Sequence, residues 1–336
     1  MTILEAHYDP AIADEIRELA ASRRAVILAH NYERPEVQDV ADFVGDSLGL
    51  SREAARTDAQ VIVFCGVHFM AETAAILSPA KTVLLPDLAA GCSLAATIDA
   101  AQLRAWKAEH PGAVVVAYVN TTAEVKAESD YCCTSGNAVD VIHAIPADRD
   151  ILFLPDMFLG AHVRRMTGRD NIHIWMGECH VHAGIDPEHI NRMRGKHPGA
   201  EFLIHPECGC ATPAVEAVSA GAIDPEGVHI LSTEGMIRRP GHSDHDTFIV
   251  ATEIGILHRL RREHPGKRFI AANDRAQCAY MKVTTLPKVR DALRYLQHRI
   301  TVPDGVAARA RTAIERMVAI GATPAPSPFG PEDPGE

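Results

Sequence analysis

The sequence predicts an α/β protein of three small homologous domains, each a three-layer αβα unit with a parallel sheet, arranged around a pseudo-threefold axis. Three observations lead there. Short apolar runs rich in β-branched residues alternate with helical stretches, the pattern of βαβ units with crossover helices. One layout recurs three times, and a repeat of this length indicates a tripled domain. Aromatic residues make up only 5% of the chain, so Ala, Val, Ile and Leu carry the packing, which favours α/β layering over an all-β sandwich.

The first repeat, taken as 22–95, opens with the strand Val26-Ile-Leu-Ala-His-Asn31. It continues through Val61-Ile-Val-Phe64 and Lys81-Thr-Val-Leu-Leu-Pro-Asp87 and closes at Cys92. Helices are expected at 35–43, 51–57 and 70–77. The second repeat, 96–182, carries Val114-Val-Val-Ala-Tyr-Val-Asn120, a helix at 138–144, Ile151-Leu-Phe-Leu154 and Asn171-Ile-His-Ile-Trp-Met-Gly-Glu178, and closes at Cys179. The third, 183–285, carries Phe202-Leu-Ile-His-Pro-Glu207, a helix at 213–220, Phe248-Ile-Val-Ala251 and Arg268-Phe-Ile-Ala-Ala-Asn273, and closes at Cys278. Such runs fit buried parallel strands. Residues 286–320 read as helical, with Val289, Leu293, Leu296 and Ile300 on one face, and are assigned to pack on the first repeat. Residues 321–336, rich in Pro and Gly, read as a disordered tail.

A net charge of −11 and a pI near 5.9 argue against broad binding to nucleic acid or anionic membranes. The N-terminus has no basic region followed by an apolar stretch, and no run of about 18 apolar residues occurs, so neither a signal peptide nor a membrane span is expected. A cytoplasmic location is expected. Eight cysteines in a cytoplasmic chain of this size do not read as a disulfide framework.

Cys92, Cys179 and Cys278 fall at the same place in each repeat, about one repeat length apart. Packed around a threefold axis, they would converge on one point. Three converging thiolates suit a metal, or a cluster with one open coordination site. Zinc is the competing occupant, because His182 lies three residues after Cys179. Any single cysteine is more commonly structural. Cys65, Cys132, Cys133, Cys208 and Cys210 fall elsewhere in the repeat and are read as buried or incidentally close.

Ligands in such sheets sit beyond the carboxyl ends of the strands. Matching positions there hold His30-Asn-Tyr32, Tyr118-Val-Asn120 and His205-Pro-Glu207. A second matched set, Asp46-Ser47, Thr134-Ser135 and Ser232-Thr233, precedes expected helices, where hydroxyls and backbone N–H groups can cap or bind an anion. Taken singly, a strand-end histidine or tyrosine is as readily a packing residue. Glu207, behind a proline at the end of an apolar strand, is expected to have a raised pKa and to act as an acid–base group.

These residues belong to motifs that resemble the quinolinate synthase family over roughly residues 20–300. The motifs are Ala29-His-Asn-Tyr32, Gly45-Asp-Ser47, Leu84-Leu-Pro-Asp-Leu-Ala-Ala-Gly-Cys92, Tyr118-Val-Asn120, Cys133-Thr-Ser-Gly-Asn137, Gly177-Glu-Cys-His-Val-His182, His205-Pro-Glu-Cys208, Ser232-Thr-Glu-Gly235, Ala251-Thr-Glu253 and Cys278-Ala-Tyr-Met-Lys282. The resemblance implies condensation of iminoaspartate with dihydroxyacetone phosphate to quinolinate, phosphate and water. It also implies one [4Fe–4S] cluster per chain on Cys92, Cys179 and Cys278, with one open iron, and an L-aspartate oxidase or dehydrogenase as supplier of the imine. By the same resemblance, His30, Ser47, Asn120 and Ser135 hold the dicarboxylate. Tyr32 and Tyr118 sit at the triose and reacting carbons, Glu207 with His205 is the acid–base pair, and His182 and Thr233 contact substrate or phosphate. Two departures stand out. Some members carry a Cys-x-x-Cys-x-x-Cys run before the last ligand, whereas residues 272–278 here read Ala-Asn-Asp-Arg-Ala-Gln-Cys. The Thr-Ser-Gly after Cys133 replaces the Thr-Ser-Ser-Asn of many relatives. The residues alone also admit a cluster-dependent hydro-lyase, or a non-enzymatic protein using zinc or a cluster for structure.

Overall fold

The structure, a computed structural model, describes residues 9–185, 187–211 and 227–321. It contains three four-stranded sheets with one topology. The first is β2 (Phe43–Gly45), β1 (Ala25–His30), β3 (Val61–Cys65), β4 (Thr82–Leu84), in that spatial order. The second is β6 (Tyr131–Cys133), β5 (Val114–Tyr118), β7 (Ile151–Leu154), β8 (Ile172–Ile174). The third is β10 (Val228–Ile230), β9 (Glu201–Ile204), β11 (Thr247–Ala251), β12 (Arg268–Ala271). Strands within each sheet pair in parallel. The fold class therefore agrees with the sequence reading.

Period-two alternation sorts the first sheet into two faces. Ile27, Ala29, Val61, Val63 and Cys65 pack with helix α1 (Pro10–Arg23), helix α2 (Pro35–Val40) and Leu286, Val289 and Leu293. Leu28, Ile62 and Phe64 face the other way, toward helices α3 (Ser47–Arg56) and α4 (His68–Leu77), in a core that continues through the other two repeats. Burial on both faces explains why the central strands read as unbroken apolar runs.

One edge strand of each sheet, β2, β6 and β10, was not expected from the sequence. Helix 35–43 ends at Val40, and Phe43–Gly45 is β2. Asp42 makes the turn: its backbone N–H donates to Ile27 O at 2.9 Å, and its Oδ2 accepts from Ile27 N at 2.7 Å. Asp130 repeats both contacts with Val115 before β6. Residues 286–320 form two helices, Leu286–Tyr295 and Asp304–Ala319. Leu296, with φ 49°, ends the first and is left exposed. The first helix packs on α1, whereas the second lies against α3 and α4 of the first repeat and against β6 and helix Ala123–Lys126 of the second. The helix expected at 213–220 and the tail beyond 321 lie outside the described residues. Among the described residues, no helix is long and apolar enough to cross a membrane.

Gly177 shows how closely the second repeat is packed beneath its cysteine. A Cβ there would stand 2.4 Å from Pro155 O and 2.5 Å from Thr97 Oγ1. Gly177→Ala must therefore push backbone apart. The expected cost is about 1–3 kcal/mol, read as a lower urea midpoint. A midpoint equal to the parent's would show that the 155–177 contact is not close.

Candidate active site

The carboxyl ends of the three sheets face one cavity. β1 delivers His30 and Tyr32, β5 delivers Tyr118 and Asn120, and the turn after β9 delivers His205 and Glu207. The same cavity is lined by Ser47, Ser135, His182 and Thr233 and by Cys92, Cys179 and Cys278. Every site residue singled out from the sequence is thus brought to one place. The loops bearing the cysteines also touch one another. Ser93 Oγ lies 2.7 Å from His180 Nδ1, and the His180 ring meets Tyr280 edge-on at 6.3 Å.

Local structure explains the placement. Asp46 caps α3 by accepting from Gly49 N at 2.7 Å, which leaves the adjacent Ser47 at the cavity. Ser232 caps helix Thr233–Arg238 in the same way, through Gly235 N at 3.3 Å. The second repeat departs from this pattern. There Asn137 stands at the head of helix Ala138–His143, and its Oδ1 accepts from Thr134 N at 2.8 Å. Thr233 Oγ1 also accepts from Asn31 Nδ2 at 3.1 Å, joining the first and third repeats.

Glu207 sits at the centre of a buried polar network. The Tyr118 hydroxyl donates to its Oε1. His205 Nδ1 stands 3.6 Å from Oε1, and His182 Nδ1 stands 3.3 Å from Oε2. The His182 contact is close but lacks hydrogen-bond geometry, so it acts through charge. The two imidazoles stack with centroids 4.8 Å apart, and Ser135 Oγ lies 3.3 Å from His205 Nε2. The expected raised pKa is corrected here. Burial does push the Glu207 carboxyl up, but His205, His182 and the Tyr118 hydrogen bond outweigh it and hold it at about 2. Glu207 is therefore an ionised carboxylate.

Burial, with His205 and Lys282 adding to it, takes His30 down to about 3. Burial takes His205 to about 3 despite the opposing pull of Glu207. Both rings stay neutral in the folded state until the pH falls to about 3, so His205 bears on Glu207 by charge only at the acid end, where that carboxyl itself titrates. Below pH 6.5 the unfolded chain takes up protons that the folded chain refuses, so this stability is full above 6.5 and is lost as pH falls toward 3. Each histidine should remove about 2 kcal/mol between pH 8 and pH 5. Against burial, Cys179, Tyr32 and Glu207 hold His182 well above its ordinary value, which works in the opposite sense, so the test is a difference: in urea unfolding His205→Asn should lose about 2 kcal/mol less than the parent between pH 8 and pH 5. Equal losses in both would contradict the assignment.

The thiols fit a metal group. Burial, and then the neighbouring sulfurs Cys179 and Cys278, carry the Cys92 thiol up to about 12. Burial and Cys179 likewise carry Cys278 to about 12. All three sulfurs line one cavity, and a cation is what would draw off the protons of such thiols. Cys179, His182 and Glu207 additionally place ligand atoms within 4.8 Å of one another and could hold a metal ion. Cys179 thus belongs to both donor sets.

Cys65, Cys132 and Cys133 are buried away from this cavity's lining. Cys208 and Cys210, read from sequence as buried or incidentally close, are joined in a disulfide with Cα atoms 5.2 Å apart. The turn after Glu207 brings the two together. Asp46 and Thr134, expected only ahead of their helices, also line the cavity, as does Glu253. None of the three is among the site residues expected from the sequence. Glu253 lies just past β11, where strand-end logic would have found it.

The chain matches the family model described as quinolinate synthetase A protein over residues 14–319. It is 58% identical over 311 residues to a quinolinate synthase of Thermus thermophilus, covering 93% of this chain and 98% of that protein. It is 58% identical over 309 residues to the quinolinate synthase of Mycobacterium sp. KMS, covering 92% of each chain. With that of Mycobacterium tuberculosis H37Ra it shares 56% identity over 313 residues, covering 93% of this chain and 90% of the relative.

Proposed function

The chain belongs to the quinolinate synthetase A family, and on that premise we propose that it condenses iminoaspartate with dihydroxyacetone phosphate. The products are quinolinate, phosphate and water, and a [4Fe–4S] cluster on Cys92, Cys179 and Cys278 takes part. The observation that carries this reading is the meeting of one cysteine per repeat with the three strand-end polar clusters in a single cavity. A purely structural metal has no need of those clusters. When bound, such a cluster supplies a Lewis-acid iron with an open position.

The chain's own residues do the rest. Ser47, Ser135, His30 and Asn120 present neutral polar groups to the dicarboxylate, which suits an anion in a dry site. The Asn120 Oδ1 is buried without a partner, which leaves an acceptor for an N–H or O–H of the substrate. Glu207, ionised and within reach of Tyr118, accepts protons as the imine–enamine steps require, and the Tyr118 phenol carries them to and from it. His205 stays neutral between Ser135 and Glu207 and orients both. Tyr32 and Tyr118 face the triose carbons, with His182 and Thr233 toward the phosphate. Enclosure by buried side chains keeps water from the hydrolysable imine. The same reading makes the chain a cytoplasmic transferase of NAD biosynthesis, supplied with imine by an L-aspartate oxidase or dehydrogenase.

The test begins with anaerobic purification and analysis of iron, sulfide and visible absorbance. Iminoaspartate generated in situ is then added with dihydroxyacetone phosphate. Brown protein with about four irons per chain that forms quinolinate is the expected result. Brown protein without quinolinate would favour a hydro-lyase. Colourless protein holding zinc would sink the cluster.

A further inference from the structure

Thr252, Glu253 and Lys282 have no part in the chemistry above, yet all three are buried among the groups that do. Thr252 Oγ1 lies 2.5 Å from the Tyr32 hydroxyl and 2.9 Å from His182 Nε2. Those two groups are 3.3 Å from each other. The hydroxyl therefore closes a triangle with one corner from each repeat.

The next residue makes a second link. Glu253 Oε1 accepts the Cys278 backbone N–H at 3.1 Å and lies 3.0 Å from Lys282 Nζ, while its Oε2 accepts Gly255 N at 2.6 Å. Lys282 Nζ donates in turn to the Tyr32 carbonyl oxygen. A Cβ on residue 255 would stand 2.7 Å from Lys282 Nζ and 2.8 Å from Tyr32 O, so glycine alone permits this approach. A buried ion pair adds little net stability over apolar replacements. Its distinctive effect here is alignment, because it connects the backbone of Cys278 to that of Tyr32.

We propose that the Thr252–Glu253 turn, together with Lys282, is the positioning device of the site. Thr252 holds the Tyr32 phenol against His182, and the Glu253–Lys282 pair sets the Tyr32 backbone relative to Cys278. These residues act through Tyr32, His182 and Cys278. The proposal rests on the reading of Tyr32 as a reacting-site group and of Cys278 as a cluster ligand.

Thr252→Val keeps the shape and removes the hydroxyl. Its kcat should fall about 10- to 100-fold, the scale of a misplaced reacting group. KM should stay within about twofold, with parental iron content and melting temperature, and Thr252→Ser should recover most of the rate. Parental kcat in Thr252→Val, or a loss that serine does not recover, overturns the role of Thr252. The ion pair is read without turnover, from the reduction potential of the reconstituted cluster, which responds to nearby charge. Glu253→Gln removes a negative charge and should raise the potential. Lys282→Gln removes a positive charge and should lower it, and it also serves if Glu253→Gln does not fold. Unchanged potentials overturn the link to Cys278. A parent that holds the cluster but makes no quinolinate would overturn the functional reading instead.

Discussion

Serine at any one of Cys92, Cys179 or Cys278 is expected to strip the protein of its iron, sulfide and visible absorbance and to leave no measurable quinolinate formation. Each repeat contributes a single thiol to the cavity, so one substitution leaves two sulfurs, and a hydroxyl is a poor replacement for a soft thiolate. The controls are the other cysteines. Cys65 lies in the core of the first sheet, and its serine variant should lose about 1–3 kcal/mol by burying a hydroxyl while keeping its iron. Cys208→Ser and Cys210→Ser break a disulfide outside the ligand set and should also remain brown. The comparison needs only iron and sulfide per chain, a spectrum and a turnover rate for the six variants. Equal loss in all six would mean that the three-thiol assignment is wrong.

Glu207→Gln is expected to lower kcat about 10²- to 10⁴-fold, the range for loss of a positioned acid–base group, with iron content unchanged. Glutamine retains an oxygen for the Tyr118 hydroxyl but cannot take a proton. The pH profile sharpens this. A carboxyl held at about 2 is already ionised throughout the working range, so Glu207 cannot produce an acid limb above pH 5. Stability follows the opposite sign from a raised acid. The depressed carboxyl contributes stability that is present above its unfolded value of about 4.5 and is lost as pH falls toward 2. Glu207→Gln should therefore flatten acid unfolding in that window. Turnover at the parental rate would remove Glu207 from the chemistry.

The long central strands were legible because burial on both faces leaves a continuous β-branched run, as in Val61–Cys65 and Ile151–Leu154. The second strand of each repeat, at one edge of its sheet, was not. Phe43–Gly45, Tyr131–Cys133 and Val228–Ile230 have three residues each, too few for a period to show, and the first merges in sequence with the helix before it. The break at Leu296 is hidden because its apolar side chain continues the stripe of Val289 and Leu293, while only its backbone turns left-handed. At the site, repeat matching finds the residues that sit at equivalent strand ends. It passes over Thr252, whose hydroxyl meets Tyr32 and His182 of the other two repeats, and no spacing within a repeat encodes that meeting. The charge state of Glu207 is illegible for a related reason. Burial can be guessed from a strand end, but the two histidines that overcome it come from separate loops.

The placement of the site across three sheets also governs when it comes into being. Domains tend to fold in the order in which they are synthesised. The first sheet can form while the last thiol, Cys278, is still unmade. Helix Asp304–Ala319, which lies against both the first and second repeats, emerges later still. No nascent fragment ending before the third sheet can gather all three sulfurs. On the proposed cluster reading, loading with iron and sulfide waits for Cys278, and fragments released before it cannot offer all three thiols.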